Sequence, residues 1–536
     1  MRSAAWPELL SLARAVDEGE SRSGREVADL AVDHRFRFAG RELRLPEVDW
    51  STGYESPLWT YNLQYFDYAV DLARAWRASG EPRYGDCLVR LWNGWLEAAG
   101  SGRARIEPYP TSVRCMNALR SLWLVEDRVS ADFSARLVSG TRAQLDWLRS
   151  HLERHLRANH LLKNLAALTW GSLAFADPPP GAVQARDELW RELAEQVLPD
   201  GGHFERSPMY HAAALDDFLR TLAMCRVGGA AVPKFVPGRL AEMTRALQLL
   251  SRSDGTLHLF NDTADGERPD RNDVVALAAD VLESTFAEPA GAFALQHTGY
   301  HGCVDTDGDY RFVVDAGPAG PTYQPGHAHC DMLSFELDVH GRPFVVDSGL
   351  HGYDGDPYRE YVRSTRAHNT VAIDGLDQHE MWATFRVARR GEILSATSGP
   401  VGDEGFEFRG AARSYHDRSA VHERRVKILR GTLAVTDRVE GANGRSLASW
   451  LHVHPDFRLR PSAAGFVAAG PDEGAPAVAI EFFGADDIRL VTGARDPVQG
   501  WYCPRFGRAI PASVIEMRIA ANEGRDFGYR LRWPVA

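Results

Sequence analysis

The feature that most constrains this chain is a change of hydrophobic period near residue 290. Before it, apolar residues recur at three- and four-residue steps, in Asp67–Trp76, Cys87–Leu96 and Ala143–Leu152, and again in Ala185–Val197, Ala212–Cys225 and Arg239–Leu250. That is the period of helices burying one face. Pro/Gly clusters at Asp177–Gly181, Asp200–Gly202 and Val232–Gly238 punctuate them. Many helices with short links predict an all-α layer, a solenoid or a closed toroid, and the lack of a fixed repeat period favours the toroid. After Glu288-Pro-Ala-Gly-Ala292 the period becomes two, in Tyr310–Asp315, Leu333–Val339, Pro343–Asp347, Asn369–Ile373, Val426–Leu429, Thr432–Thr436, Ala477–Phe483 and Ser513–Arg518. Alternating strands between turn residues predict an antiparallel β-sandwich. The expected division is therefore an α domain over 1–290 and a β domain over 291–536.

Composition narrows the function. The chain has 536 residues, of which 44% are hydrophobic and 25% charged, as in ordinary globular proteins. No apolar stretch reaches the roughly 18 residues of a membrane span. The N-terminus has one Arg and no continuous apolar run behind it, so no secretory signal is visible. The chain reads as cytoplasmic as it stands, and as periplasmic or secreted if a signal was removed. A net charge of −12 argues against a general nucleic-acid binder. It leaves room for an anionic ligand in a locally basic groove. Positive charge is nearly all Arg, with Lys only at 163, 234 and 427. The six cysteines are scattered and form no CxxC pair, which speaks against a zinc ribbon or a disulfide framework and is compatible with a reducing compartment.

Three polar clusters stand out. In Arg157-Ala-Asn-His-Leu-Leu-Lys-Asn164, helical spacing puts Leu152, Leu156, Asn159, Lys163, Ala166 and Trp170 on one face. Asn159 and Lys163 interrupt that stripe, either as a solvated face or as the lining of a groove where an amide binds a carboxylate. In Asp200-Gly-Gly-His-Phe-Glu-Arg-Ser-Pro-Met-Tyr-His211, Ser207 and Pro208 are N-cap and first residue of a helix, with His203, Glu205, Arg206, Tyr210 and His211 around the turn. In Gly326-His-Ala-His-Cys-Asp331, H-x-H on extended backbone points both imidazoles to one side. Asp347 and His368 end and open other strands, and could join His329 as metal ligands. A two-residue turn at His340-Gly341 sets Asp347 opposite Ser334, so the ligands meet only if the chain bends before Met332. Aromatics and amides in Tyr61–Asp67 and Tyr109–Asn117, with Asn62, Tyr65 and Arg114, suit either sugar contact or core packing.

Taken in order, Ala158–Leu162, Asp200-Gly-Gly with Glu205–His211, Gly326–Asp331, and Val346-Asp-Ser-Gly349 with Ala367–Thr370 resemble the heparinase II/III-like polysaccharide lyases. The resemblance implies an N-terminal incomplete (α/α) toroid followed by an antiparallel β-sandwich, with the active site in the cleft between them. It implies β-elimination on a uronate-containing acidic polysaccharide. Asn159 would neutralise the carboxylate, Tyr210 act as Brønsted acid and base, and His327 as second base. On this reading Tyr210 and His327 sit on separate domains. His329, Asp347 and His368 would bind a divalent metal, zinc first, with manganese or calcium as alternatives. Substrate contacts are expected from Asn62, Tyr65, Arg114, His160, His203, Glu205 and Arg363.

Two other classes compete. A glycoside hydrolase needs two carboxylates at a set separation, and Glu205 with Asp262 or Asp265 could supply them. A polysaccharide-binding protein without turnover could keep the same cleft. A metalloprotease lacks support, because no HExxH occurs.

Overall fold

A computed structural model describes residues 2–17, 22–178, 180–267, 269–402, 405–472, 477–520 and 525–535. Its helices begin where the sequence offers a cap. Ser56 and Ser130 accept hydrogen bonds from the backbone N–H of Trp59 and Phe133, and Pro57, Pro82 and Pro108 take first-turn positions whose missing N–H costs nothing. Gly80 ends the helix Asp67–Ser79 at φ 73°, donating its N–H to the Trp76 carbonyl. The helix Ala131–Arg149 stops before Leu152, and the next begins at Ala158. Leu152 and Leu156 therefore lie off the helix that carries Asn159 and Lys163. Arg157 and Ala158 both have positive φ, which breaks the run that periodicity extends through them.

The chain forms an incomplete (α/α) toroid followed by antiparallel sheets stacked as a β-sandwich. The last helix of the first half, Arg271–Leu282, precedes the strand Gly291–Leu295. Two compact units cut across that order. One holds Met1–Glu195, Ala214–Leu240 and Leu277–Ser284; the other holds Gln196–Ala213, Ala241–Ala276 and Thr285–Ala536. Segments from the helical half join the β unit through polar contacts. Asp200 accepts from the N–H groups of His297 and Thr298, and the Arg206 guanidinium donates to the Thr298 carbonyl at 2.8 Å. Gly202 packs so tightly on Thr298 that a Cβ there would lie 1.8 Å from its hydroxyl oxygen.

In the β unit one eight-stranded sheet runs Glu392–Val401, Gly405–Arg413, Val421–Leu429, Thr432–Glu440, Asp526–Arg532, Val478–Phe483, Gly465–Ala469, Arg458–Ser462. The facing sheet includes Ser446–Val453, Arg342–Val345, Phe335–Val339, Tyr310–Asp315 and Tyr300–Val304. Val421–Leu429 alternates buried and open positions along its length, as a half-covered strand must. Phe312, Phe335, Phe406, Phe408, Val426, Val435 and Tyr529 fill the space between the sheets. The hairpin at His340-Gly341 pairs Val339 with Arg342, then shifts register by one before Leu337 meets Val345. A bulge there re-aims the strand that leads into Asp347.

Candidate active site

The site in the β unit is built around one carboxylate. Asn261 sits at φ 56°, and this left-handed turn directs the Asp262 side chain inward, fully buried. Both Asp262 oxygens are engaged. Oδ2 lies 2.8 Å from His327 Nδ1, Oδ1 lies 2.9 Å from His329 Nε2, and the Arg359 guanidinium bonds to both. Burial alone would raise this carboxyl, but Arg359 and the two imidazoles hold it well below the usual carboxylate range. An ionised Asp262 can only accept, so both imidazoles are the donors. His327 donates to it from Nδ1, which leaves Nε2 for other partners; His329, kept neutral by burial, donates from Nε2 and presents a lone pair at Nδ1.

Tyr210 enters through the capped turn that the sequence marks. The Ser207 hydroxyl accepts from the Tyr210 N–H at 3.2 Å and bonds the Asp262 carbonyl at 2.7 Å, so one serine ties helix start to carboxylate loop. The Tyr210 ring stacks on the His327 imidazole, with centroids 4.0 Å apart and planes at 27°. Its hydroxyl lies 2.8 Å from that of Tyr353. Burial pushes the Tyr353 phenol well above its ordinary range, and the neighbouring Tyr210 and Asp262 add to this. Tyr353 therefore stays protonated, and either hydroxyl of the pair can donate. Tyr210 and His327 belong to one compact unit, where the sequence puts them on either side of residue 290. The reason is the 196–213 segment, which packs with the strands.

Glu205 is buried beside them, 3.7 Å from His327 Nε2 and 3.8 Å from His203 Nδ1. Burial drives the His203 imidazole well below its normal value, so it is neutral, with Nε2 3.2 Å from the Gln196 amide oxygen. Arg363 is buried too, and burial lowers it to about 10. It donates to the Ala383 carbonyl at 2.7 Å and to that of Arg386.

His329, Asp347 and His368 come together, fully buried, with one ligand atom each within 4.8 Å of the others. The chain does bend, but across Met332 rather than before it: Leu333 is at φ 64°, and the Ser334 N–H donates to the Asp331 carbonyl. Buried groups hold each ligand in place. The Asn261 amide oxygen accepts from the His329 N–H, Glu336 accepts from the Asp347 N–H, and the Arg424 guanidinium bonds the carbonyls of Leu333 and Asn369. His329 Nδ1 and His368 Nε2 are buried with no hydrogen-bond partner. Burial keeps His329 neutral, down to about 3. Two orphaned imidazole nitrogens beside a carboxylate fit a divalent cation.

The other sequence candidates lie in the helical unit. Asn159 is half-buried in the first turn of Ala158–Ala174. His160 bonds Glu153 at 3.0 Å and packs its ring on Tyr109, which meets Tyr65 edge-on. The Asn62 amide donates to the Leu58 carbonyl. Arg114 is fully buried, with its donors on Gln144, the Gln64 carbonyl and Thr111 and its face over Trp95. Sequence reasoning missed Tyr353 and Arg359, and weighed Asp262 only as a hydrolase carboxylate. Asp356-Pro357 does mark a helix start, and Asp356 caps the Arg359 N–H. Nothing in the sequence around Tyr353 signals its role.

Comparison with known proteins gives two family matches. The model described as Heparinase II/III N-terminus matches residues 12–285, and that described as Heparinase II/III-like, C-terminal matches 287–533. A heparin-sulfate lyase of Pedobacter heparinus is 24% identical over 389 residues, 65% of this chain and 58% of that protein. A heparin-sulfate lyase of Bacteroides stercoris is 27% identical over 256 residues, 42% of this chain and 37% of that protein. The match thus spans less than two thirds of either relative. A crystal structure of heparinase III superposes with a TM-score of 0.76 at 16% identity, covering 99% of this chain and 89% of that one.

Proposed function

This chain belongs to the heparinase II/III family, and from that premise we propose that it cleaves a uronate-containing, glycosaminoglycan-like polysaccharide by β-elimination. The observation that carries the reading is the Tyr210–His327 stack anchored on the ionised, buried Asp262. The relatives' activity makes heparin-sulfate the first polymer to test.

In a 4-linked uronate the C5 hydrogen is weakly acidic while the neighbouring carboxylate is charged. Its removal spreads a second negative charge onto that carboxylate. Donors aimed there stabilise the transition state. Asn159 takes this part, on the strength of the sequence match and of its place in a first helical turn, where the dipole favours an anion. A base then accepts the C5 proton, the C5–H electron pair becomes the C4–C5 double bond, and the C4–O4 bond breaks as O4 is protonated. Nε2 of His327 is the base, its ring oriented by Asp262 through Nδ1. The Tyr210 hydroxyl protonates O4, or serves as base and then acid when the C5 proton lies on its side. Tyr353, held protonated, donates to the Tyr210 oxygen and stabilises the charge it carries as base.

His329, Asp347 and His368 would hold the divalent metal; two imidazoles and one carboxylate suit zinc or manganese better than calcium. When bound, it supplies positive charge beside Asp347 and cross-links the segments that flank His327. The Glu205–Asp262 pair of the hydrolase reading loses ground, because both Asp262 oxygens are spent on imidazoles and Arg359.

The test is a panel of uronate polymers followed by the ultraviolet absorbance of the 4,5-unsaturated product. Wild type should produce it, and Tyr210→Phe should lose about 10²–10⁴-fold in rate while keeping its circular dichroism. Full activity in Tyr210→Phe would overturn the assignment.

A further inference from the structure

A short hairpin, Met381–Trp382 paired with Arg386–Val387, stands beside the catalytic cluster. It carries large rings into solvent where water-soluble chains bury them: Trp382 is 57% exposed and Phe385 43%. Exposed aromatics singly mean little. Here they are grouped, charged and anchored. The Arg386 guanidinium lies over the Trp382 ring, 5.6 Å from its centroid. The Phe385 ring meets the His327 imidazole edge-on at 6.4 Å and the Tyr353 ring at 5.1 Å. The patch is therefore continuous with the proton-transfer pair.

The hairpin is also held rigid from below. Arg359, which grips Asp262, donates to the Thr384 carbonyl at 2.7 Å, and Arg363 donates to the Ala383 carbonyl at 2.7 Å. Ala383 sits at φ 50°, a left-handed turn that a non-glycine residue adopts only when its surroundings impose it. At the base, the Glu380 N–H donates to the Arg389 carbonyl, the Glu380 carbonyl accepts from the Ala388 N–H, and the Glu380 carboxylate pairs with the Arg389 guanidinium at 2.7 Å. Two buried arginines thus spend donors on the backbone of an exposed loop, which a merely solvated turn does not need.

We propose that this hairpin is a sugar-binding platform for the same acidic polymer, adjacent to the bond being cut. Trp382 stacks on the apolar face of a pyranose, and Arg386 pairs with a carboxylate or sulfate on that ring. Phe385 closes the edge of the site against water beside His327. The proposal rests on the polysaccharide reading above and adds the residues that bind the neighbouring sugar.

Affinity tests it. In a Tyr210→Phe background, titration calorimetry uses hexasaccharides from heparan sulfate and hyaluronan, with uncharged cellohexaose as control. Trp382→Ala and Arg386→Ala should each weaken binding of the acidic probes about tenfold. The Arg386→Ala loss should vanish when the probe's carboxyl groups are reduced and no sulfate remains. Leu490→Ala, which trims another exposed apolar side chain, is the control for surface effects. Affinities unchanged in both hairpin variants, for every probe the parent binds, would overturn the platform. If wild type cuts no polymer, the lyase reading fails by itself. The platform then stands if acidic probes still bind through Trp382, and falls if none binds.

Discussion

At the residue scale Asp262 governs the site. One buried carboxylate bonds the candidate base His327 and the metal-ligand candidate His329, and Arg359 keeps it charged. Asp262→Asn should lower kcat about 10–100-fold, as loss of a group that orients site residues does. It should also cost about 3–5 kcal/mol of stability, because Arg359 is left buried without its partner. Steady-state kinetics and urea unfolding check this; parental kcat in folded Asp262→Asn would refute the positioning role. Little of this was legible beforehand. Phe260-Asn-Asp-Thr263 looks like any turn, and the left-handed φ values that aim the site fall on Ala158, Arg206, Asn261 and Ala383, where no glycine advertises them. Tyr210, by contrast, was marked by Ser207-Pro208, because capping chemistry is local and needs no tertiary contact.

At the element scale, periodicity placed most helices and strands and erred where the backbone breaks. The run through Leu152–Trp170 is split at Arg157-Ala158, and the His340-Gly341 hairpin carries a bulge that sequence alternation cannot register. The first helix, Trp6–Asp17, shows how elements are locked together. Its last residue, Asp17, is buried and bonded by Arg74, Arg120 and Arg220 at 3.0, 2.7 and 3.0 Å. Burial alone would raise the Asp17 carboxyl, but the three guanidinium groups hold it far below its usual value. A depressed folded-state value means stabilisation that is present above the unfolded pKa, near 4 for Asp, and lost as pH falls below it. Asp17→Asn should therefore destabilise the helical unit by about 3–5 kcal/mol at neutral pH. Far-ultraviolet circular dichroism during urea unfolding reads this, and the deficit should shrink as the buffer is made strongly acidic. A constant deficit across that range would contradict the ionic account.

At the scale of the whole molecule, helices then strands were readable because the period changes once, near residue 290, and stays changed. The compact units were not, because Gln196–Ala213 and Ala241–Ala276 leave the helical half to pack with the strands. Those excursions bring Tyr210 and Asp262 to His327, so the site depends on contacts far apart in sequence. Among the described residues no helix is long and apolar enough to cross a membrane. The central claim is elimination rather than hydrolysis, and the isotopic fate of the cut end tests it most directly. Digestion of heparin-sulfate, or whichever uronate polymer the wild type cuts, is run in ¹⁸O-labelled water and the oligosaccharides are weighed by mass spectrometry. The account predicts that the fragment formed at C4 is one water lighter than a hydrolysis product and that neither new end carries ¹⁸O. Fragments one water heavier, with ¹⁸O at the cut, would contradict it.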